Sequence, residues 1–89
     1  MKRIEEKMVA AVNGRYDWHE SNTAVRVDDV TGNVFVTLHG NTICRIINGR
    51  RHYDDCGWGT TTTASRLRAL GADITFSRRD GIITIHNND

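Results

Sequence analysis

The sequence predicts an α+β domain: an antiparallel sheet of about six strands, in the order α-β-β-β-β-α-β-β, with two helices packed on it. Two segments with the apolar spacing of helices are the first observation that predicts this fold. The second is a set of alternating apolar runs separated by short turns rich in Gly, Asn and Asp, which favour antiparallel hairpins. The third is the length of 89 residues, which fits one domain, 1–89, with one core.

The first helix is predicted over residues 2–13. Its apolar residues recur at helical spacing and form one stripe, which consists of Ile4, Met8, Ala11 and Val12. Asn13-Gly14 predicts a left-handed stop. Residues 15–22 (RYDWHESN) lack any period, so we expect a loop there.

Four strands are predicted next. Residues 23–27 and 34–39 alternate between apolar and polar side chains, and 42–47 returns after a predicted two-residue loop at Gly40-Asn41. Asn48-Gly49 is typical of a type I′ turn and leads into an edge strand, Arg50 to Asp54.

Two-residue loops fix the register of these strands. Residue 38 then opposes 43, 36 opposes 45, 34 opposes 47, 47 opposes 50, and 45 opposes 52. One face is mainly aliphatic, with Arg45, Arg50 and His52 toward its edge, and we expect it to form the core. The other face is chemically mixed and consists of Phe35, Thr37, His39, Thr42, Cys44, Ile46, Arg51 and Tyr53.

The second helix is predicted from the threonine run 60–63 to Leu70. One of these threonines should cap its N-terminus, and Ala64, Leu67 and Leu70 should face inward. Arg66 and Arg68 are expected outside or at the flank. A final hairpin turns at Asp80-Gly81 and buries Ile74, Phe76, Ile83 and Ile85.

Composition excludes several classes of function. No stretch approaches the ~20 apolar residues that cross a bilayer, and the basic start is not followed by the apolar run of a signal peptide. We therefore expect a cytosolic protein with two reduced cysteines. The net charge is +1, yet ten of the twelve cationic residues are Arg, whose guanidinium group suits phosphate and carboxylate. Genomic composition explains the bias equally well.

The polar residues form no recognisable metal or catalytic motif. His39, Cys44, His52 and Cys56 are possible zinc ligands, but their spacing matches no standard site. His39 and Cys44 lie near the same turn, as a nucleophile and its base would, although a buried structural thiol is the commoner arrangement. We expect no metal, no cofactor and no enzymatic activity. Anion binding before the second helix stays open.

The sequence offers more material for nucleic-acid binding, because single strands are held by aromatic stacking together with Arg. The aromatic residues Tyr16, Trp18, Phe35, Tyr53 and Trp58 are interleaved with arginines at 15, 45, 50, 51, 66 and 68. At least two of the five aromatic residues must be buried in a domain of this size.

Three blocks resemble a family of small proteins encoded by bacteriophages. They are DWHESNTAV at 17–25, VTLHGNTI at 36–43 and GWGTTTTASRLRAL at 57–70. The resemblance implies phage origin and residence in the cytoplasm of the bacterial host, and it implies no particular reaction. Arg68 stands where family members often have Asn. The matched polar positions without an obvious structural reason are Trp18, His39 and Arg66.

We therefore predict a phage accessory protein that binds nucleic acid through an Arg and aromatic surface. The alternative is a protein-binding inhibitor of a host factor, of the anti-defence, anti-CRISPR or RNA polymerase modulator type, with a possible homodimer through an edge strand. The predicted binding residues are Trp18, Asn22, His39, Asn41, Arg51, Tyr53, Trp58, Thr62, Thr63 and Arg66.

Overall fold

The computed structural model describes residues 1–88 and confirms the α+β fold class. Helix α1 (Arg3–Gly14) precedes the strands β1 (Trp18–Glu20), β2 (Thr23–Val27), β3 (Val34–Leu38), β4 (Asn41–Ile47) and β5 (Arg50–Tyr53). Helix α2 (Thr61–Ala69) follows, and then β6 (Ile74–Ser77) and β7 (Ile82–Ile85). Strands β1 to β5 form one antiparallel sheet in chain order, and β6 and β7 form a separate two-stranded sheet.

Both helices begin and end close to the predicted positions. Thr60 caps α2, because its hydroxyl accepts the backbone N–H of Thr63 at 3.1 Å. At the end of α1, the left-handed residue is Arg15 rather than Gly14. The segment expected to be a loop at 15–22 contains the short strand β1, which pairs with β2. Three residues give too short a pattern for a period to be visible.

A β-bulge in β4 changes the predicted register. The turn between β3 and β4 is His39-Gly40, both with positive φ, so that Leu38 opposes Asn41 and Thr37 opposes Thr42. The register then shifts, and Val36 opposes Cys44. Ile43 is the extra residue of the bulge. The predicted pairs of 38 with 43, 36 with 45 and 34 with 47 are therefore wrong, whereas 47 with 50 and 45 with 52 are confirmed.

The bulge reverses the two faces of β4 and β5, because successive side chains of a strand point to opposite sides. Cys44 and Tyr53 are buried in the core, against the prediction that they belong to the mixed face. Ile46 packs against the same core. Arg45 and His52 instead share the outward face with Phe35, since Phe35 opposes Arg45 and Arg45 opposes His52.

The core lies on one side of the five-stranded sheet. Met8 and Val12 from α1, Leu67 from α2 and Ile83 from the small sheet join one hydrophobic cluster with the inward residues of the strands. The outward residues of β2 to β5 do not belong to this cluster. Both helices therefore pack on the same side of the large sheet, and neither covers its other side.

Candidate functional site

The uncovered side of the large sheet, which we call the open face, carries the outward residues of its five strands. They are His19, Ala24, Arg26, Phe35, Thr37, Thr42, Arg45, Ile47, Arg50 and His52. Arg26, Arg45 and Arg50 are exposed. None of these ten residues is Asp or Glu, so the face carries positive charge although the chain is nearly neutral.

One cross-strand row defines the chemistry of the open face. Arg26 opposes Phe35 on the next strand, and Phe35 opposes Arg45. Directly opposed side chains in an antiparallel pair have Cβ atoms about 5 Å apart, so Phe35 has an arginine beside it on each of the two neighbouring strands. Phe35 is half-buried and lines the groove over this face.

A carboxylate stands at the border of this face. Asp17 lines the shallow groove that runs over Phe35 and Thr37 toward Gly40. Its Oδ1 accepts the backbone N–H of Val27 at 2.8 Å. Asp17 therefore has a structural role in holding the β1 end of the sheet.

Five of the ten predicted binding residues line a second feature, a cleft of about 560 Å³ between the β3–β4 turn and the start of α2. We call it the turn cleft. His39, Asn41, Trp58, Thr62 and Thr63 contribute to it together with Leu38, Ile43, Asp55 and Thr60. The sequence blocks at 36–43 and 57–70 thus meet in space.

Trp58 is held by a tightly bonded loop. The backbone N–H of Trp58 donates to the carbonyl of Asp55 at 2.9 Å, and the Trp58 carbonyl accepts the N–H of Thr60 at 2.9 Å. Gly59 lies so close to Gly81 that a Cβ would overlap the Gly81 carbonyl. Trp58 is nevertheless 58% exposed, although tryptophan residues are highly buried on average.

Arg66 does not lie on the surface, contrary to expectation. It is 5% exposed. Its Nη1 donates to Glu5 Oε2 at 2.7 Å and its Nε donates to Thr23 Oγ1 at 3.1 Å. The hydroxyl of Ser65 donates to the same carboxylate oxygen at 2.6 Å. This buried pair joins α1, β2 and α2, so the position of Arg66 has a structural reason and it adds nothing to an anion site before α2.

The pKa of Glu5 reflects this arrangement. Burial alone would raise it, but hydrogen bonds from Ser65, Arg66 and the backbone of Lys2 favour the carboxylate and hold the pKa below its usual range. Glu5 is thus an ionised group inside the protein at neutral pH.

Arg51 and Tyr53 also bond inward. Arg51 Nη1 and the Tyr53 hydroxyl both donate to the carbonyl of Leu70, at 2.6 and 3.1 Å. Burial raises the pKa of Tyr53. The last carbonyls of a helix lack partners within the helix, and these two predicted binding residues supply partners at the end of α2. They therefore connect α2 to β5 and have a structural role.

Trp18 and Asn22 support their surroundings. Trp18 is half-buried against the core and borders the open face groove. The carbonyl of Asn22 accepts the backbone N–H of His39 at 2.8 Å, and its side chain accepts the hydroxyl of Thr23 at 2.8 Å. Asn22 thereby positions the β3–β4 turn.

The candidate metal ligands and the candidate nucleophile are not brought together. Cys44 is buried on the core side, whereas His52 faces outward and His39 is exposed. Burial raises the pKa of Cys44 to about 11, which leaves a protonated thiol at neutral pH. Within residues 1–88, no three His, Cys, Asp or Glu side chains are grouped as metal ligands would be.

Comparison with known proteins identifies the family. A family model described as Kyanoviridae Gp96 protein matches residues 1–89. The chain belongs to this family. Membership in the Kyanoviridae Gp96 family confirms the expected phage origin, and no curated protein and no solved structure matches the chain. Over residues 1–88, this Gp96 family member has no helix of sufficient length and apolar character to span a bilayer.

Sequence reasoning missed Arg26, and it placed Arg45, Arg50 and His52 on the wrong side of the sheet. Alternation within β2 could have assigned Arg26 to the outward face, since it lies between the inward-predicted Val25 and Val27. The bulge at Ile43 has no comparable signal in the Gp96 sequence, because an isoleucine fits either face of a strand.

Proposed function

We propose that this phage protein is a non-enzymatic accessory protein that binds single-stranded nucleic acid across its open face. The observation that carries the proposal is the row Arg26–Phe35–Arg45, which lies on a sheet surface that neither helix covers. Stacking of bases on an aromatic ring with Arg beside it is how many sequence-tolerant proteins hold single strands.

The charges of the face suit this partner. Arg26, Arg45 and Arg50 provide three exposed cations on β2, β4 and β5, with no Asp or Glu among the outward strand residues. A nucleic-acid backbone places phosphates at short intervals along such a surface. The near-zero net charge of the whole chain limits attraction from long range, so we expect moderate affinity.

Fluorescence anisotropy with labelled single-stranded DNA and RNA of about ten nucleotides tests the proposal. Three phosphate contacts predict that log K falls with log salt with a slope of about −2. Arg45→Ala should weaken binding and make the slope less steep by about 0.7. Arg79→Ala, which removes an exposed charge in the β6–β7 turn, is the matched control and should leave binding nearly unchanged.

Phe35→Ala separates stacking from charge. Loss of one base–aromatic stack is worth about 1–3 kcal/mol, which corresponds to an affinity weaker by roughly 5- to 150-fold with an unchanged salt slope. Absence of any binding at low salt, or equal effects of the Arg45 and Arg79 substitutions, contradicts the proposal.

The alternative function is inhibition of a host protein. Its expected contact, the edge of β5, is partly closed, because the amide of Asn88 bonds both backbone groups of Tyr53 at 2.7 and 2.6 Å. Affinity capture from infected cells distinguishes the two functions. A stoichiometric host protein that survives nuclease treatment, and that Arg45→Ala does not release, favours the inhibitor and counts against the open face.

A further inference from the structure

The turn cleft has a composition that suits a neutral planar group. Trp58 supplies an exposed aromatic plane, and Leu38 and Ile43 supply an apolar floor. Its lining contains no Lys or Arg, and Asp55 is its one carboxylate. A phosphate or a carboxylate ligand would therefore find no cationic side chain and would face the charge of Asp55, whereas a heterocycle with N–H donors would find an acceptor.

The threonine hydroxyls at 60 and 63 are hydrogen-bonded to each other, but three other polar side chains of the cleft have hydrogen-bonding atoms that are free of partners within residues 1–88. One oxygen of Asp55, Oδ1, accepts the N–H of Gly57 at 3.3 Å. Its second oxygen accepts no hydrogen bond from the residues that the structure describes, and neither the amide of Asn41 nor the imidazole of His39 is bonded to them. The loop carrying Trp58 and Asp55 is already fixed by its own hydrogen bonds, so that binding would require little ordering.

The cleft also adjoins the open face. His39 and Asn41 line the cleft, whereas their neighbours Gly40 and Thr42 line the groove over the open face. One nucleic-acid strand that follows the arginines can therefore cross the β3–β4 turn and place a base beside Trp58.

We propose that the turn cleft is a nucleobase pocket that prefers guanine. This inference rests on the proposed function and specifies which base the strand presents. Guanine carries two adjacent donors, N1–H and the exocyclic amino group, and a carboxylate can accept both at once. Adenine and cytosine offer one amino group to Asp55, and uracil and thymine flank their single N–H with two carbonyls that a carboxylate repels. The Asn41 amide has both a donor and an acceptor for the remaining base edge.

Anisotropy with two DNA oligonucleotides of equal length tests the preference. One consists of ten thymidines, and the other consists of nine thymidines with a single deoxyguanosine at one end. We expect about 5- to 100-fold tighter binding of the guanosine-containing strand, which is the range of discrimination for a bidentate base contact. Asp55→Asn should abolish the preference, because an amide presents a donor where guanine also donates. Asp54→Asn, which changes the exposed neighbouring carboxylate, is the matched control and should keep the preference.

A second measurement keeps this inference separate from the proposed function. Guanosine alone is added to ¹⁵N-labelled protein, and the indole N–H signal of Trp58 is followed by NMR. A shift of this signal with guanosine, larger than with uridine and unaffected by Arg45→Ala, supports the pocket even if no oligonucleotide binds.

Three results overturn the inference. The first is equal affinity for both oligonucleotides while Arg45→Ala still weakens both, which leaves the open face intact and removes the pocket. The second is an unchanged preference in Asp55→Asn. The third is a Trp58 signal that responds to an Arg-containing peptide but not to guanosine, which makes the cleft a protein-docking site.

Discussion

The buried pair of Glu5 and Arg66 should be a main determinant of stability. Arg66→Met removes the guanidinium and leaves the carboxylate of Glu5, 3% exposed, with only Ser65 and the Lys2 backbone as partners. Breaking a buried ion pair in this way is destabilising by about 3–5 kcal/mol. A chain of 89 residues has a total free energy of unfolding of about 4–13 kcal/mol, so the variant should be close to unfolding.

Urea denaturation followed by far-UV circular dichroism measures this loss. Arg68→Met is the matched control, because Arg68 is exposed on the same helix and should change stability by less than about 0.5 kcal/mol. The double variant Glu5→Leu, Arg66→Met replaces both charges and should recover at least half of the loss. A loss below about 1 kcal/mol in Arg66→Met, or no recovery in the double variant, refutes the reasoning.

The ion pair of Glu5 and Arg66 also makes the free energy of unfolding depend on pH in the acid range. Since the pKa of Glu5 is lowered in the folded state, its contribution is fully present above the unfolded value and disappears as the pH falls through the folded one. The urea concentration at the midpoint of unfolding should therefore decrease when the pH is lowered below about 4.5. In the double variant this part of the decline should be absent.

Three further outcomes follow from individual contacts. Gly59→Ala should push the β6–β7 hairpin away, because the new methyl group overlaps the Gly81 carbonyl; a loss of less than about 1 kcal/mol in urea unfolding contradicts this. Asn88→Ala should expose the backbone groups of Tyr53 and increase self-association in analytical ultracentrifugation, and a strictly monomeric variant refutes the edge argument. Cys44 is fully buried with a raised pKa, so iodoacetamide should alkylate it more slowly than the other cysteine in the native state and equally fast in urea.

Much of the fold could be predicted from the sequence, because local chemistry determines it. Three features follow from φ preferences and side-chain period: the Asn48-Gly49 turn, the threonine cap and the inward face of the last hairpin. The inward residues of α2 follow from helical spacing in the same way.

The parts that could not be predicted depend on contacts between distant segments. Arg66 is buried because it forms an ion pair with Glu5, 61 positions away in the sequence, and no local pattern predicts such a partner. The bulge at Ile43 shifts the alternation of inward and outward residues by one position, and the sequence does not reveal the shift because an isoleucine fits either face of a strand. The turn cleft brings together His39 and Trp58 only because α2 begins beside the β3–β4 turn.

The bulge in β4 determines which side chains of β4 and β5 enter the core and which lie on the open face. Because it shifts the register by one residue, Cys44 and Tyr53 face inward and Arg45 and His52 face outward. The outward side chains take no part in the hydrophobic cluster, so their substitution should cost little folding stability. Deletion of Ile43 would leave a regular ladder with the same pairs, Val36 with Cys44 and Phe35 with Arg45, so the two faces would stay in place and the core would lose one buried isoleucine side chain.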